Sequence, residues 1–433
     1  MVFFETAMYK IRKALSKTES WSKIREKTVK RSRGLTDNRG IQMNQAQKTL
    51  LALLKHALRE ERYEDAPEQD WNAVLDEANI QAVTALAASA LPASLTEEDG
   101  KPWKKAQYTQ LGAYTRYMYA QDELCRLFAE NAIPMLILKG SAAGIYYARP
   151  GLRAMGDIDL IVPRELFPQA KELMLRSGYM MKRDDNGRHI EYEKNRLEYE
   201  LHHTYSHRDE NIESYVTEGL RNCVTAEVDG HMIPMLPRLS NGIVLLDHLR
   251  HHLREGVGLR QLIDWMMYVE RELDDAFWAD TFCAAARQEH MEILAKAAAR
   301  LCQRHLGLRD TIGWCADVSD ELCDFLLENV LSSGNFGQKN RGSVRVESTA
   351  ASIRNAGLFR YLQKGGEIHW GALKKYPWLR PLAWAYQLYR YAGLFLNKQY
   401  RSDFAGKLDK GNKKYRMLKE LDLFKEKDAG GKK

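Results

Sequence analysis

No stretch of the 433 residues is both apolar and free of charge for long enough to cross a bilayer, which argues against a helical membrane protein. The first residues, Met1-Val2-Phe3-Phe4-Glu5, meet an acid at once and lack the apolar centre of a secretion signal. A cytoplasmic location is therefore expected. None of the six cysteines (Cys125, Cys223, Cys283, Cys302, Cys315 and Cys323) forms a Cys-x-x-Cys pair. That argues against a zinc site or a disulfide frame and leaves reduced thiols, most of them within apolar helical patterns. No internal repeat is visible. Net charge is also scarce beyond the first forty residues. Residues 1–40 hold eleven Lys and Arg against four Asp and Glu, an excess that equals the whole net charge of +7. This arm is expected to be a solvated basic segment, or else a weak contact to nucleic acid or an anionic membrane surface. The Lys-rich stretch after Lys398 reads in the same way.

What remains is ordinary for a globular chain: 45% hydrophobic and 28% charged residues, with length enough for two or three modules. The expected organisation is a basic arm over 1–40, a helical region over 41–131, a catalytic core over 132–236, a helical domain over 237–400 and a basic tail over 401–433. Leu50, Leu51, Leu54 and Leu58, then Trp71, Val74, Leu75 and Ala78, recur at helical spacing. A long helix is expected from Trp103 to Asn131, after a turn-rich stretch at 92–103. Within the core the pattern predicts strand 134–139, helix 141–148, strand 157–162, helix 164–177 and strands at 179–183, 188–194, 196–203 and 223–228. Asp184-Asp185-Asn186-Gly187 signals a hairpin. Helical patterning resumes after Pro237 and runs to about Leu396, interrupted near 333–346.

The chemistry concentrates in two places. Leu138-Lys139-Gly140-Ser141 closes an apolar strand and opens a helix. Met155-Gly156-Asp157-Ile158-Asp159 then starts a second apolar strand, where residues two apart share a face. Two such carboxylates repel one another unless a cation lies between them. A hard divalent ion, Mg²⁺ or Mn²⁺, takes oxygen ligands of this kind and leaves positions for phosphate. Ser141 is expected to cap its helix, and free N–H groups at such a start suit a phosphate. Lys139 is either a surface lysine or a partner for phosphate oxygens. Arg153 either steadies phosphate or folds back on a carboxylate. Two aspartates hold a metal weakly, so a third acid is sought. On the strand at 196–203, Glu198, Glu200 and His202 alternate onto one face, and either glutamate answers.

Gly-Ser, a helix, then Asp-x-Asp on a strand resembles the nucleotidyltransferase superfamily that includes DNA polymerase β and the antibiotic-modifying adenylyltransferases. Leu138-Lys139-Gly140-Ser141 with Arg153-Ala154-Met155-Gly156-Asp157-Ile158-Asp159 resembles, more narrowly, an uncharacterised nucleotidyltransferase family found mostly in bacteria. Leu197-Glu198-Tyr199-Glu200-Leu201-His202-His203 and the segment His248 to Trp265 fit the same family, over roughly residues 45 to 400. The resemblance implies an α/β (α+β) fold, a small mixed β-sheet core flanked by N-terminal and C-terminal helical regions. It implies Mg²⁺-dependent transfer of a nucleotide, with ATP the default NTP, onto a hydroxyl of a small molecule, a peptide or an RNA. It places the third acid at Glu200, where the family often has the shorter Asp. It also points to His252, Arg260 and Asp264 as cleft or packing residues. Arg260 and Asp264 stand four apart and could pair within one helix. His248 and His252 have metal-ligand spacing, but no glutamate stands between them in the metalloprotease position. The aromatic segment Tyr376 to Tyr391 reads as core packing, and Gly334-Asn335-Phe336-Gly337 resembles a family loop without implying a role. A competing reading from another class is a non-catalytic, nucleotide-sensing or partner-binding module.

Overall fold

The computed structural model describes residues 43–64, 69–184, 189–205, 210–339, 341–369, 376–384, 386–387 and 404–424. The basic arm, most of the Asp184–Gly187 turn and the end of the tail lie outside the described residues. The chain divides into two compact units. The larger comprises residues 43–339 with 421–425, and described residues from 341 to 420 belong to the smaller. No helix of the described residues is long and apolar enough to cross a membrane.

In the larger unit three helices come first: α1 (Gln45–Ala57), α2 (Trp71–Ile80) and α3 (Thr84–Ala88). The long helix α4 runs Glu97–Glu130. It begins six residues before the expected start, because Thr96 caps it through the Asp99 amide and Glu97, Glu98 and Asp99 sit in its first turn. Pro102 lies near that end, where it removes one helical hydrogen bond.

The sheet is mixed, with strand order β1-β2-β5-β4-β3. Its strands are β1 (Leu136–Leu138), β2 (Ile158–Ile161), β3 (Met180–Asp184), β4 (His189–Lys194) and β5 (Leu197–His202). Two helices punctuate it: α5 (Gly140–Gly144) after β1 and α6 (Phe167–Arg176) before β3. Only the β2–β5 pair is parallel; β1–β2, β4–β5 and β3–β4 are antiparallel. Alternation then sorts the side chains. Ile158 and Leu160 of β2 and Tyr199 and Leu201 of β5 face the main core, against Tyr117, Met118, Leu124 and Phe128 of α4. Burying each such large side chain contributes about 1.5–3 kcal/mol. Asp159, Glu200 and His202 therefore project from the opposite face.

That face is met by further helices. Helix α7 (Glu210–Arg221) and the two-stranded sheet β6 (Val224–Val228) and β7 (His231–Met235) precede α8 (Arg238–Glu255) and α9 (Leu259–Glu272). Val216 of α7 and Val244 of α8 pack with Leu136, Leu138 and Ile161 beside the acidic residues. Helices α10 (Asp275–Phe277), α11 (Cys283–Gln288), α12 (Glu292–His305) and α13 (Asp320–Ser333) complete the larger unit. The smaller unit contains α14 (Arg341–Ala356), α15 (Leu358–His369) and α16 (Phe404–Glu420), with α16 packed on α14. The helical region expected over 237–400 is thus divided near residue 340, and the start of the expected tail is a helix. All six cysteines are free, yet only Cys302, Cys315 and Cys323 are buried and Cys223 is exposed. Tyr376, Trp378, Leu382 and Tyr386 are exposed, so core packing does not account for those aromatic-segment residues.

Candidate metal and nucleotide centre

The parallel register of β2 on β5 sets Asp159 beside Glu200 and Ile161 beside His202. Asp157 stands one residue ahead of β2 rather than within it. Carboxylate oxygens of Asp157, Asp159 and Glu200 all lie within 4.8 Å of one another. Leu138 is opposite Asp159 across β1, and the Lys139 Nζ reaches Asp159 Oδ1 at 3.3 Å. His202 Nε2 lies 3.1 Å from Asp159 Oδ1 and 3.2 Å from Glu200 Oε2.

The charges are unevenly shared. The Asp159 charge, together with burial, pushes the Asp157 carboxyl up to about 7, against opposing pulls from Lys139 and Arg260. Burial would raise Asp159 as well, but Lys139 and His202 more than offset it and hold that carboxyl well below the usual range. Burial would raise Glu200 too, but the His202 hydrogen bond and the charges of His202 and Lys139 together lower it. Burial would lower His202 and Lys139, yet both are raised by the acids beside them. One proton is thus retained near neutral pH by a pair that lacks a sufficient counter-charge.

The segment leading to Asp157 is held from several sides. Gln110 donates to the Arg153 carbonyl at 2.9 Å, Arg260 to the Ala154 carbonyl at 3.1 Å and Tyr117 to the Gly156 carbonyl at 2.7 Å. Arg153 folds back on a carboxylate, and that carboxylate is Asp264. The contact is two-pronged, at 2.7 and 2.8 Å, with both side chains 2% exposed. Tyr147 donates to the same Asp264 at 2.7 Å. Arg153 is therefore a fixed internal strut rather than an open phosphate ligand. The strongest partner of Asp264 is Arg153, not Arg260 within its own helix.

Other expectations are altered too. Helix α5 spans only Gly140–Gly144, and Lys139, not Ser141, occupies the capping position, without a side-chain bond. The Ser141 hydroxyl instead donates to Gln121 Oε1 at 2.5 Å. Lys139 and Gly140 both have positive φ, 51° and 36°, which turns the chain sharply out of β1. Glu198 is exposed on the strand, paired in register with Glu193, and is not one of the clustered acids. His252 is buried, with Nε2 2.9 Å from His248 Nε2. Burial lowers both imidazoles, His252 to about 3, so both are neutral.

One residue escaped the sequence reading. His189 opens β4 opposite His202, and with Glu200 and His202 it offers a second set of ligand atoms within 4.8 Å. Its alternation with Glu191 was visible, but the hairpin register that brings it to His202 was not.

Two aspartates at the head of one strand and a third acid on its parallel neighbour, in a small mixed sheet, are the arrangement that the nucleotidyltransferase resemblance implies. The chain belongs to the family described as uncharacterised nucleotidyltransferase, whose model matches residues 67–307, more than half of its length. None of the curated proteins matches it. Among solved structures, it is similar to the antibiotic-resistance factor ANT(2'')-Ia at 13% identity, over 41% of this chain and 94% of that one, with a TM-score of 0.31. It is also similar to an antigenic nucleotidyltransferase-like protein from Paracoccidioides brasiliensis at 12% identity, over 44% and 92%, with a TM-score of 0.29.

Proposed function

We propose that this protein transfers a nucleoside monophosphate from an NTP to a hydroxyl acceptor and releases pyrophosphate. One observation carries the reading: Asp157, Asp159 and Glu200 converge within 4.8 Å beside the Lys139–Gly140 turn. Three carboxylates, one of them pushed up to about 7 by its neighbour's charge, are a donor set that fits a hard divalent cation. Asp157, Asp159 and Glu200 would hold Mg²⁺ or Mn²⁺. When bound, such an ion neutralises phosphate oxygens and favours deprotonation of a nearby hydroxyl. Lys139, whose Nζ lies 3.3 Å from Asp159, and the amides of Gly140 and Ser141 would meet the β- and γ-phosphates. Glu200 either shares in holding the ion or accepts the acceptor's proton. The acceptor oxygen bonds to the α-phosphorus as the bond to pyrophosphate breaks. His202 positions Asp159 and Glu200 through its Nε2. Arg153, Asp264 and Tyr117 hold the Asp157 segment in place.

ATP is the donor we favour, by the family resemblance. The acceptor is left as a hydroxyl of a small molecule, peptide or RNA. The test is incubation of the protein with each α-labelled NTP, Mg²⁺ or Mn²⁺ and cell extract, alongside the Asp157→Ala/Asp159→Ala variant. Labelled acceptor or pyrophosphate from the parent alone supports transfer. NTP binding without turnover under any condition overturns it in favour of a nucleotide-sensing module.

A further inference from the structure

Gly334-Asn335-Phe336-Gly337 lies outside the span matched by the family model, and nothing described so far uses it. In the structure it forms a 3-10 turn, Asn335–Gly337, directly after α13. The turn is pressed onto the connection between α8 and α9. A Cβ on Gly256 would stand 2.2 Å from the Gly337 nitrogen, and one on Gly258 would stand 2.9 Å from the Asn335 Cα. Only glycine at both positions allows backbone to meet backbone this closely. Asn335 is buried and accepts from Gln261 Nε2 at 2.8 Å, while Gln261 Oε1 accepts from the Gly258 amide at 3.1 Å.

All of this support presents one side chain. Phe336 has φ 52° and ψ 29°, the left-handed region that a bulky residue disfavours, and it is 48% exposed. A phenyl ring held out to solvent by a strained backbone adds little to the core, and such strain gathers where a ligand is gripped. The ring packs edge-on against buried His252, with centroids 5.0 Å apart. The Arg260 guanidinium lies 5.6 Å from its centroid. Arg260 also donates to the Ala154 carbonyl at 3.1 Å, three residues before Asp157. A single cation therefore links the ring to the segment that leads into Asp157.

We propose that Phe336 is the platform on which the base of the NTP stacks, with Arg260 on the phosphate side between ring and metal centre. The inference rests on the transferase reading and deepens it by locating the base. A phenyl face offers π-contact and no hydrogen-bond readout, so this contact serves all four bases similarly. The neutral His252 behind the ring adds apolar support without charge.

The experiment measures binding of the four Mg²⁺-NTPs and of Mg²⁺-tripolyphosphate, which carries no base, to the full chain and its Phe336→Ala and Phe336→Trp variants. Phe336→Ala is expected to weaken each NTP by about ten-fold or more while leaving tripolyphosphate unchanged, and Phe336→Trp to retain parental affinity. The stacking inference alone is overturned if parent and Phe336→Ala bind NTPs within two-fold of each other. It is also overturned if Phe336→Ala weakens NTPs and tripolyphosphate equally. A parent that binds neither probe overturns the transferase reading and this inference with it.

Discussion

Replacing Asp157 with Asn should stabilise the metal-free protein at alkaline pH while removing its activity. The folded Asp157 carboxyl lies at about 7, against an ordinary 3.8. A carboxyl raised on folding favours the native state fully below its unfolded pKa, and that contribution is lost as pH climbs through the folded value. Between about pH 4 and 7 the native protein therefore becomes less stable from this source. The full gap corresponds to about 4 kcal/mol. Asp157 is partly exposed, and solvent screening reduces the figure to about 1–2 kcal/mol. Asn cannot ionise, so Asp157→Asn should melt about 2–6 °C above the parent at pH 8 in EDTA and close to it at pH 5. Adding Mg²⁺ or Mn²⁺ at a hundred-fold excess over its dissociation constant should stabilise the parent at pH 8 by about 2.7 kcal/mol, and the variant far less. Calorimetry or dye-based melting across pH measures all of this. A variant less stable than the parent at pH 8 in EDTA, or two parallel pH profiles, would refute the argument that like charges in this site await a cation.

Asp264→Ala leaves Arg153 buried without its partner and should cost about 3–5 kcal/mol in denaturant unfolding, whereas a double apolar replacement of Arg153 and Asp264 should recover much of that. Glu200→Gln should lower turnover by about 10²–10⁴-fold with little change in NTP KM, and Glu200→Asp, the residue common in the family, should retain more activity. Tyr117→Phe removes the hydrogen bond to the Gly156 carbonyl; about 1 kcal/mol of stability should be lost, with a several-fold fall in kcat as the Asp157 segment loosens.

Much of the centre was legible because strand chemistry is periodic. The alternation through Leu197-Glu198-Tyr199-Glu200-Leu201-His202 assigns the acids to one face and the apolar residues to the core, and β5 does so. The choice of Glu200 over Glu198 needed the resemblance, since both share that face; the parallel register beside Asp159 is a tertiary fact. Arg153 and Asp264 lie 111 residues apart in sequence, so no local pattern announces their pairing. Helix α7 could have been read, for Ile212 and Val216 are both buried at helical spacing. The β6–β7 hairpin had its Asp229-Gly230 signal, and both residues have positive φ. Pro234 disfavours a central strand, and an isolated two-stranded sheet tolerates it. The early start of α4 was hidden by Gly100 and Pro102, while the Thr96–Asp99 cap that overrides them was present throughout.

Anomalous diffraction from crystals soaked in Mn²⁺ with a non-hydrolysable NTP analogue reads the acid constellation directly. The expected map has its strongest metal peak between Asp157, Asp159 and Glu200, with an oxygen of each carboxylate in the coordination shell and the triphosphate along the Lys139–Gly140 turn. A metal bound elsewhere, or Glu200 turned away from a metal held by the two aspartates, would contradict the arrangement on which the proposed chemistry depends.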